Sequence, residues 1–275
     1  QVIQMTEQGV YSLSFPEYGE IEALSAHRLM QMTASPRHAQ VFRENVESDA
    51  LKLGKLVHLA VLEPEEFQNR VVRSPKFDRR TTQGKIESAR FSELHVGKEL
   101  VDEVTFEKLS SIQEALAQHP AASRLIARCK AKEQALVWND RSGVLCKARP
   151  DMFSDTICCD LKTIKHGEGG PERFLSSALS YGRLYHWQAA FYLRGFKALQ
   201  MGIGTWIWIV VETEEPYAVS VVEAHPDIIE YAKQQTGPLI EQYAECTRNG
   251  AWPAYSDRVE TPEPPQWLRD KLYGG

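Results

Sequence analysis

A chain of 275 residues can form one large or two small domains, and its 43% of hydrophobic residues can bury a sizeable core, which excludes a disordered protein. The formal net charge of −5 provides no general attraction to nucleic acid, so a partner of that kind would need a local basic patch. The five cysteines include no CxxC pair, which argues against a zinc ribbon.

The sequence shows neither a signal peptide nor a long apolar segment. Its longest strongly apolar run, at 206–211, is far too short to span a bilayer. The odd number of cysteines and the missing signal peptide favour a reducing compartment. We therefore expect a cytoplasmic protein that has no contact with a membrane.

The first part of the chain has the apolar spacing of helices. Helices are predicted at 24–32, 35–46, 51–62 and about Thr105–Cys129. Ser25 is a plausible N-cap of the first of them. Between the third and the fourth, the segment 74–90 is polar, cationic and rich in turn formers, so we expect a loop or a mobile segment there.

The middle of the chain changes to strand-forming residues. A three-stranded meander is predicted from Glu133 to Thr163, with turns at 139–143 and 154–155. The later predicted elements are helices at 171–182 and 184–200, strands at 205–212 and 217–223, and a helix from about Pro226 to Asn249. We expect one domain, 1–275, made of a helical part (about 1–130), a sheet core (about 131–223), and a C-terminal helix with a Pro-rich surface tail (224–275).

Two aspartates stand among residues that are otherwise typical of a buried strand. Burying a carboxylate without a partner costs several kcal/mol, so Asp151 and Asp160 need something that neutralises them. With a two-residue turn at 154–155, Asp151 lies one diagonal step, roughly 7–8 Å, from Asp160 on the same face. Two carboxylates at that distance can hold a common divalent cation.

Lys162 shares this face, and Glu133, which is expected opposite Arg149, is a candidate third carboxylate. Oxygen ligands suit Mg²⁺ or Mn²⁺, whereas zinc would require more His or Cys. A lysine two residues beyond a ligand can orient or help deprotonate an attacking water, or offset charge on a phosphate. The alternative is a solvated hairpin face, because this spacing of Asp and Lys is common.

Three polar side chains on predicted helices have both structural and functional explanations. His58 lies on a largely apolar helix, where a lone histidine is more often a satisfied core residue than a metal ligand. Gln188 and Tyr192 are four residues apart and share one helix face, so they could form a core hydrogen bond or contact a substrate.

Together these residues carry a resemblance. His58 in a GxxxH helix, RPD at 149–151, DLKT at 160–163 and QxxxY at 188–192 are similar to motifs of the PD-(D/E)xK nucleases, in the branch with RecB-type and Cas4-type nucleases. The segments 53–67, 75–85, 143–151 and 185–192 resemble the family of RecE (exonuclease VIII) nuclease domains, which are phage-derived 5′ to 3′ exonucleases of double-stranded DNA. The likeness runs from about Tyr11 to Trp252.

The resemblance implies a role for each motif residue. The implied metal ligands are His58, Asp151, Asp160 and the carbonyl of Leu161, and the implied catalytic lysine is Lys162. Glu133 matches an acidic position of the family, and Gln188 and Tyr192 would support the site or contact the DNA strand. The implied fold is a restriction-endonuclease-like α/β core, in which helices flank a central mixed sheet, with a helical N-terminal part.

The resemblance also implies a reaction, a cofactor and partners. Mg²⁺, for which Mn²⁺ would substitute, would support hydrolysis of double-stranded DNA ends to 5′-mononucleotides, leaving a 3′ single-stranded overhang for recombination. A homo-oligomeric ring, a tetramer, would encircle the DNA, and a single-strand annealing recombinase would take up the product. Iron–sulfur members of the branch have a cysteine set that this chain lacks, so no iron–sulfur cluster is expected.

Cationic side chains are candidates for phosphate contacts. They are Arg28, Arg37, Arg79, Arg80, Lys85 and Lys165. Phosphate contacts carry no sequence information, so we expect binding that ignores sequence and weakens with salt. For any one of them a solvated surface role is the alternative.

Two other functions remain open from the sequence. A DNA endonuclease of the same superfamily would use the same chemistry without needing a free end. A non-catalytic DNA-binding module could retain the fold without the reaction. A glycosidase built on the two aspartates is disfavoured, because it would leave Lys162 and His58 without roles.

Overall fold

The computed structural model of the protein describes residues 7–42 and 49–273. Within them the helices are α1 (Phe15–Glu20), α2 (Ala26–Met30), α3 (Pro36–Val41), α4 (Asp49–Leu62), α5 (Pro64–Arg70), α6 (Thr82–Leu94), α7 (Glu103–Gln118), α8 (Pro120–Arg128), α9 (Pro171–Ala178), α10 (Tyr185–Ala198), α11 (Pro226–Asn249) and α12 (Gln266–Tyr273), with a 3-10 helix at Gln31–Thr33. The strands are β1 (Gly9–Tyr11), β2 (Val71–Ser74), β3 (Glu99–Asp102), β4 (Ala131–Lys132), β5 (Ala135–Asn139), β6 (Leu145–Ala148), β7 (Met152–Phe153), β8 (Ile157–Ile164), β9 (Thr205–Glu212) and β10 (Val219–Glu223). None of these helices is long and apolar enough to cross a lipid bilayer.

A five-stranded mixed sheet forms the centre of the fold, in the order β10-β9-β8-β7-β4. Strands β8 and β9 are parallel, and α9 and α10 lie in the connection between them. The other strand pairs of this sheet are antiparallel. A three-stranded sheet has the order β1-β5-β6, and β2 and β3 form a separate parallel pair. The predicted fold class, an α/β fold with a central mixed sheet flanked by helices, is confirmed.

Strand β9 shows why the central sheet is covered on both faces. Trp206 and Trp208 belong to a hydrophobic cluster with residues of α10 and α11, whereas Ile207 and Ile209 belong to a second cluster with residues of α4 and α7. Side chains alternate between the two faces of a strand, so a continuous apolar run is what a strand buried on both sides requires. The same alternation in β8 directs Asp160 and Lys162 to the face covered by α10.

The antiparallel pairing of the two strands that precede β8 is interrupted once. The pairs β5–β6 and β4–β7 keep one continuous register, so that Glu133 and Asp151 fall opposite each other at the interruption. Pro150 has no N–H to donate to the ladder there, and Glu133 has a φ of +52°. The prediction of a simple three-stranded meander is therefore wrong, because both of its first strands divide at this point. Glu133 also lies opposite Asp151 rather than opposite Arg149 as predicted.

The turn before β8 lies one residue later than predicted. The N–H of Ser154 donates to the carbonyl of Ile157 over 2.9 Å, which leaves 155–156 in the turn. The pairing of β7 with β8 is thereby shifted by two residues, and continuing it brings Asp151 directly opposite Asp160 instead of diagonal to it. A shift of two residues preserves the side of the sheet on which each side chain lies.

The segment predicted as a loop at 74–90 instead contains the first nine residues of α6. The hydroxyl of Thr81 accepts a hydrogen bond from the N–H of Gly84 over 3.0 Å and caps the helix. Most side chains of α6 are exposed, so the helix has no apolar stripe from which it could be predicted.

Other elements also differ from their predictions, among them the helix predicted at 171–182, which ends at Ala178, and the strand predicted at 217–223, which begins at Val219. The helix predicted at about Thr105–Cys129 is two helices, because Pro120 starts α8 with His119 as its N-cap. The tail includes a further helix, α12. The helix predicted at 35–46 ends at Val41, and 43–48 lie outside the described residues. The division of the chain into three parts of one domain stays a prediction.

Two contacts fix α10 against the β5–β6 hairpin. A Cβ added at Gly195 would lie 2.8 Å from the ring of Trp138, so the helix backbone rests directly on that ring. Arg194 donates two hydrogen bonds to the buried carboxylate of Asp140, one of them over 3.0 Å. Helix α10 carries Gln188 and Tyr192, so these contacts also position the candidate site.

We expect Gly195→Ala to lower the free energy of unfolding, as measured by urea denaturation. Overpacking a dense core costs about 1–3 kcal/mol, which outweighs the gain of up to about 1 kcal/mol that alanine gives inside a helix. Gly54→Ala in α4 is the control, because its Cβ would lie an ordinary 3.4 Å from the hydroxyl of Thr163. Equal stability of the two variants would contradict the close packing of α10.

We expect Asp140→Asn to lower the unfolding free energy by about 1.5–3 kcal/mol at pH 7, because a hydrogen-bonded charge pair is lost. Burial favours the neutral acid, but Arg194 and the N–H of Ser142 outweigh it and hold the pKa of Asp140 below its ordinary value. A carboxyl whose pKa is lowered by folding stabilises the protein above its unfolded pKa, and this contribution is lost as the pH falls. The difference between the two proteins in urea denaturation should therefore shrink below about pH 4. A difference that is unchanged by acid would contradict this assignment.

Candidate metal centre

The candidate site lies where the central sheet meets the three-stranded sheet. Its residues come from α4 (His58), the break between β4 and β5 (Glu133), the break between β6 and β7 (Asp151), strand β8 (Asp160, Leu161 and Lys162) and α10 (Gln188 and Tyr192). All of the predicted catalytic and metal-binding residues are thus in one region. Their roles stay predictions.

His58, Glu133 and Asp151 form the tightest group. Each offers a ligand atom, and the three atoms lie within 4.8 Å of one another. The Nδ1 atom of His58 is 3.5 Å from Oδ1 of Asp151 and 3.9 Å from Oε1 of Glu133. A positive φ is uncommon for a residue other than glycine, and such strained positions concentrate at functional sites. Glu133 holds this conformation while its N–H donates to the carbonyl of Asp151 over 3.0 Å.

A second partner orients each of the two carboxylates. Oδ2 of Asp151 accepts a hydrogen bond from the N–H of Leu161 over 2.6 Å, and Oε2 of Glu133 is 2.5 Å from Nη1 of Arg149. The other oxygen of each carboxylate is the one nearer to His58. Partners of this kind fix the direction of a ligand and are part of most metal sites.

The backbone of Leu161 contacts both halves of this group. Continuing the pairing of β7 with β8 would bring Leu161 opposite Pro150, which cannot donate to it. The carbonyl of Leu161 therefore accepts a hydrogen bond from Nε2 of His58 over 2.8 Å instead, and the N–H of Leu161 donates to the carboxylate of Asp151. Nε2 carries the hydrogen because a carbonyl oxygen can only accept. The Leu161 carbonyl predicted as a metal ligand thus adjoins the predicted histidine ligand.

The charge state of His58 follows from its neighbours. Burial lowers the pKa of His58, but Asp151 and Glu133 outweigh burial and raise the pKa to about 9. Burial also has the largest effect on Asp151 and raises its pKa, although the charge of His58 acts in the opposite direction. In the metal-free protein at neutral pH, the imidazolium of His58 therefore offsets the two carboxylates.

Asp160, Lys162 and Gln188 form a second, closed group. Nζ of Lys162 lies 2.6 Å from Oδ2 of Asp160 and donates to Oε1 of Gln188 over 3.1 Å. Nε2 of Gln188 donates to Oδ1 of Asp160 over 3.2 Å. The hydroxyl of Tyr192 interacts with the side chain of Gln188 and with the backbone of Arg149, which links the two groups.

Lys162 is a cation in this setting. Burial lowers the pKa of its ammonium group, but Asp160 and Asp151 outweigh burial and raise the pKa above its ordinary value. Burial raises the pKa of Asp160 to about 6, although Lys162 opposes the shift. Lys162 is thus suited to donating hydrogen bonds and to offsetting negative charge rather than to accepting a proton.

The donor set fits a divalent cation that prefers hard ligands such as carboxylate oxygens. Two carboxylate oxygens and one imidazole nitrogen come from His58, Glu133 and Asp151, with Asp160 nearby, and oxygen-rich sets of this kind suit Mg²⁺ or Mn²⁺. Cysteine does not take part, because Cys158 and Cys159 are buried in the two hydrophobic clusters.

Sequence reasoning missed two residues of the site. Arg149 was considered only as a neighbour of Glu133, although it forms the RPD motif with Pro150 and Asp151. Tyr185 was not considered, yet its ring centroid lies 4.7 Å from Nζ of Lys162. Its position one helical turn before Gln188 was the available signal, since residues three apart share a helix face.

The predicted phosphate contacts are scattered. Arg28 is largely buried and pairs with Glu22 over 2.9 Å and with Tyr243, so its charge is used inside the fold. The other five are exposed, namely Arg37, Arg79, Arg80, Lys85 and Lys165. Lys165 follows directly after β8, a strand that carries residues of the candidate centre. The DNA-contact roles of all six stay predictions.

Residues 25–263, well over half of the chain, match a family described as a PDDEXK-like domain of unknown function (DUF3799). The chain belongs to this PDDEXK-like family. The predicted membership of the PD-(D/E)xK nuclease superfamily is thereby confirmed.

Solved structures similar to this PDDEXK-like chain support its fold. A presumed exonuclease from Eubacterium rectale is 13% identical, with a TM-score of 0.59, and the match covers 96% of this chain and 99% of that one. A phage-related exonuclease from Haemophilus somnus 129PT is 11% identical, with a TM-score of 0.32. That match covers 62% of this chain and 85% of the other one, and its low TM-score does not establish a shared fold. No curated protein matches the sequence.

We expect the PDDEXK-like chain to bind Mn²⁺, measured by isothermal titration calorimetry, and expect Asp151→Asn to weaken this affinity at least about tenfold, because one anionic ligand is lost. Asp155→Asn is the control, since it removes an exposed carboxylate from the turn of the same hairpin. Equal affinity of the two variants would show that Asp151 is not a ligand.

Proposed function

We propose that the protein is a divalent-metal-dependent nuclease that hydrolyses phosphodiester bonds in DNA. The observation that carries the proposal is the convergence of His58, Glu133 and Asp151 on a site whose neighbouring group holds the ammonium of Lys162. Membership of the PDDEXK-like family supports the same reaction class.

The residues divide the work of hydrolysis between them. A bound divalent cation, Mg²⁺ with Mn²⁺ as a substitute, would supply Lewis acidity for the hydrolysis. His58, Glu133 and Asp151 would hold it, with Asp160 and the carbonyl of Leu161 as further candidate ligands. Lys162 directs its N–H groups at the attacking water or at the charge that builds on the phosphate.

Gln188 and Tyr192 act on this chemistry through Lys162 and Asp160. Gln188 bonds to both members of the ion pair, so it sets the position of the ammonium group. Tyr192 holds Gln188 in turn. These two residues are positioning residues in the proposal.

The proposed substrate is the end of double-stranded DNA. We infer digestion from the 5′ end to 5′-mononucleotides, which leaves a 3′ single-stranded overhang for recombination. The resemblance of the motifs to RecE-type nuclease domains supports this, and the similar protein from Eubacterium rectale is described as a presumed exonuclease. A homo-oligomeric ring around the DNA and a single-strand annealing recombinase as partner belong to the same proposal.

The test is digestion of linear duplex DNA in Mg²⁺, with the label at either the 5′ or the 3′ end. The parent should release 5′-labelled mononucleotide and should leave closed circular duplex intact. Lys162→Met should reduce the rate by about 10²–10⁴-fold, since it removes a positioned charge and proton donor. Glu172→Gln on the exposed start of α9 is the control and should cut like the parent.

Each contrary result has a definite meaning. Cutting of closed circles would replace the exonuclease by an endonuclease of the same superfamily. Full activity of Lys162→Met would remove the assigned lysine. Binding of DNA without any cutting in Mg²⁺ or Mn²⁺ would favour the non-catalytic DNA-binding module.

A further inference from the structure

Phe15 is an exposed aromatic side chain beside the candidate metal centre. It is 53% exposed, whereas Tyr18 of the same short helix is 5% exposed and packs in the core. Burial therefore explains Tyr18 but leaves much of the Phe15 ring in contact with solvent.

Two cations lie over the Phe15 ring, in cation–π contact with it. The guanidinium carbon of Arg149 is 5.7 Å from the ring centroid, and Nζ of Lys55 is 6.0 Å from it. Arg149 also forms the 2.5 Å ion pair with Glu133, so a single guanidinium separates the ring from a candidate metal ligand. Lys55 lies on α4, three residues before His58.

The position of Phe15 is fixed before any ligand arrives. It begins α1, and the preceding Ser14 caps that helix in a reciprocal arrangement with Glu17. The Ser14 N–H donates to the Glu17 carboxylate over 2.8 Å. An exposed ring on a fixed backbone loses little conformational freedom on binding, which favours affinity.

An aromatic ring with adjacent cations has a specific ligand chemistry. Flat π-systems stack on the ring, while the cations attract phosphate, and unpaired nucleotides offer both groups in one repeating unit. A base inside a duplex has its faces covered by its neighbours, so stacking on Phe15 requires a nucleotide that has left the duplex.

We propose that Phe15 and Lys55, next to the Arg149–Glu133 ion pair, form a binding subsite for one unpaired nucleotide next to the phosphodiester that is cut. This inference rests on the proposed nuclease function and adds the form of the substrate: the strand enters the centre as single-stranded nucleic acid. Every base has a stacking face, so the subsite accepts any sequence.

The test measures binding apart from cutting, with Ca²⁺ in place of Mg²⁺. The probe is a single-stranded oligonucleotide with 2-aminopurine at its 5′ end, followed by anisotropy for affinity and by 2-aminopurine fluorescence for stacking. Phe15→Ala and Phe15→Leu should each weaken affinity roughly tenfold and abolish the quenching of 2-aminopurine, while Phe15→Trp should keep both. Phe15 is exposed, and a thermal melt of each variant checks its folding.

The matched control is Trp267→Ala. Trp267 is 61% exposed and has Lys271 over its ring at 5.6 Å, so it is the same kind of pair, but it lies on α12, which contributes no residue to the candidate centre. This variant should bind within about twofold of the parent. The salt dependence of binding distinguishes the two roles. Phe15→Ala should keep the slope of log affinity against log salt concentration that the parent shows, whereas Lys55→Ala should reduce this slope by about 0.7.

The outcomes separate this inference from the proposed function. If the parent digests duplex DNA but Phe15→Ala or Phe15→Leu binds and quenches like the parent, the subsite is overturned and the nuclease remains. If Trp267→Ala loses as much affinity as Phe15→Ala, a specific subsite is likewise overturned. If the parent neither binds nor digests DNA, the proposed function fails and the subsite fails with it.

Discussion

The site depends on the way in which Leu161 satisfies its backbone hydrogen bonds. Its N–H and carbonyl face the point where Pro150 interrupts the ladder, so a carboxylate and an imidazole take the place of a neighbouring strand. Buried peptide groups must be paired, and this requirement draws Asp151 and His58 to the same residue. The parallel ladder with β9 holds Leu161 itself in place, because Leu161 is paired opposite Ile209 in the centre of the sheet.

Charge balance is the second condition that the site meets. Glu133, Asp151 and Asp160 are acidic, and His58, Lys162 and Arg149 offset them in the metal-free protein. Buried charges without partners would cost several kcal/mol each, so removing one member disturbs the others. In the proposed function His58 binds the cation, which requires a neutral imidazole, so an arriving cation would replace the proton of His58 as the compensating charge.

Much of this arrangement could be predicted from the sequence, and the errors have physical causes. β9 and α11 were predicted with their observed bounds, because a buried apolar run and a capped amphipathic stretch are strong local signals. The sequence also predicts that Asp151 and Asp160 share one face of the sheet, and this agrees with the observed strand pairing. The predicted register is wrong by two residues, but an error of two residues leaves each side chain on the same face. The break at Pro150 and the helix α6 were missed. The first depends on pairing between distant strands, and the second has no apolar stripe that a single sequence can reveal.

The bond from His58 to Leu161 joins residues that are 103 positions apart. Contacts of such long range form late in folding, because the intervening chain must first be ordered. A nascent or partly folded chain therefore has carboxylates but no assembled centre. The hydrolytic activity proposed for this protein therefore depends on a completely folded chain, with the whole sheet and its covering helices in place.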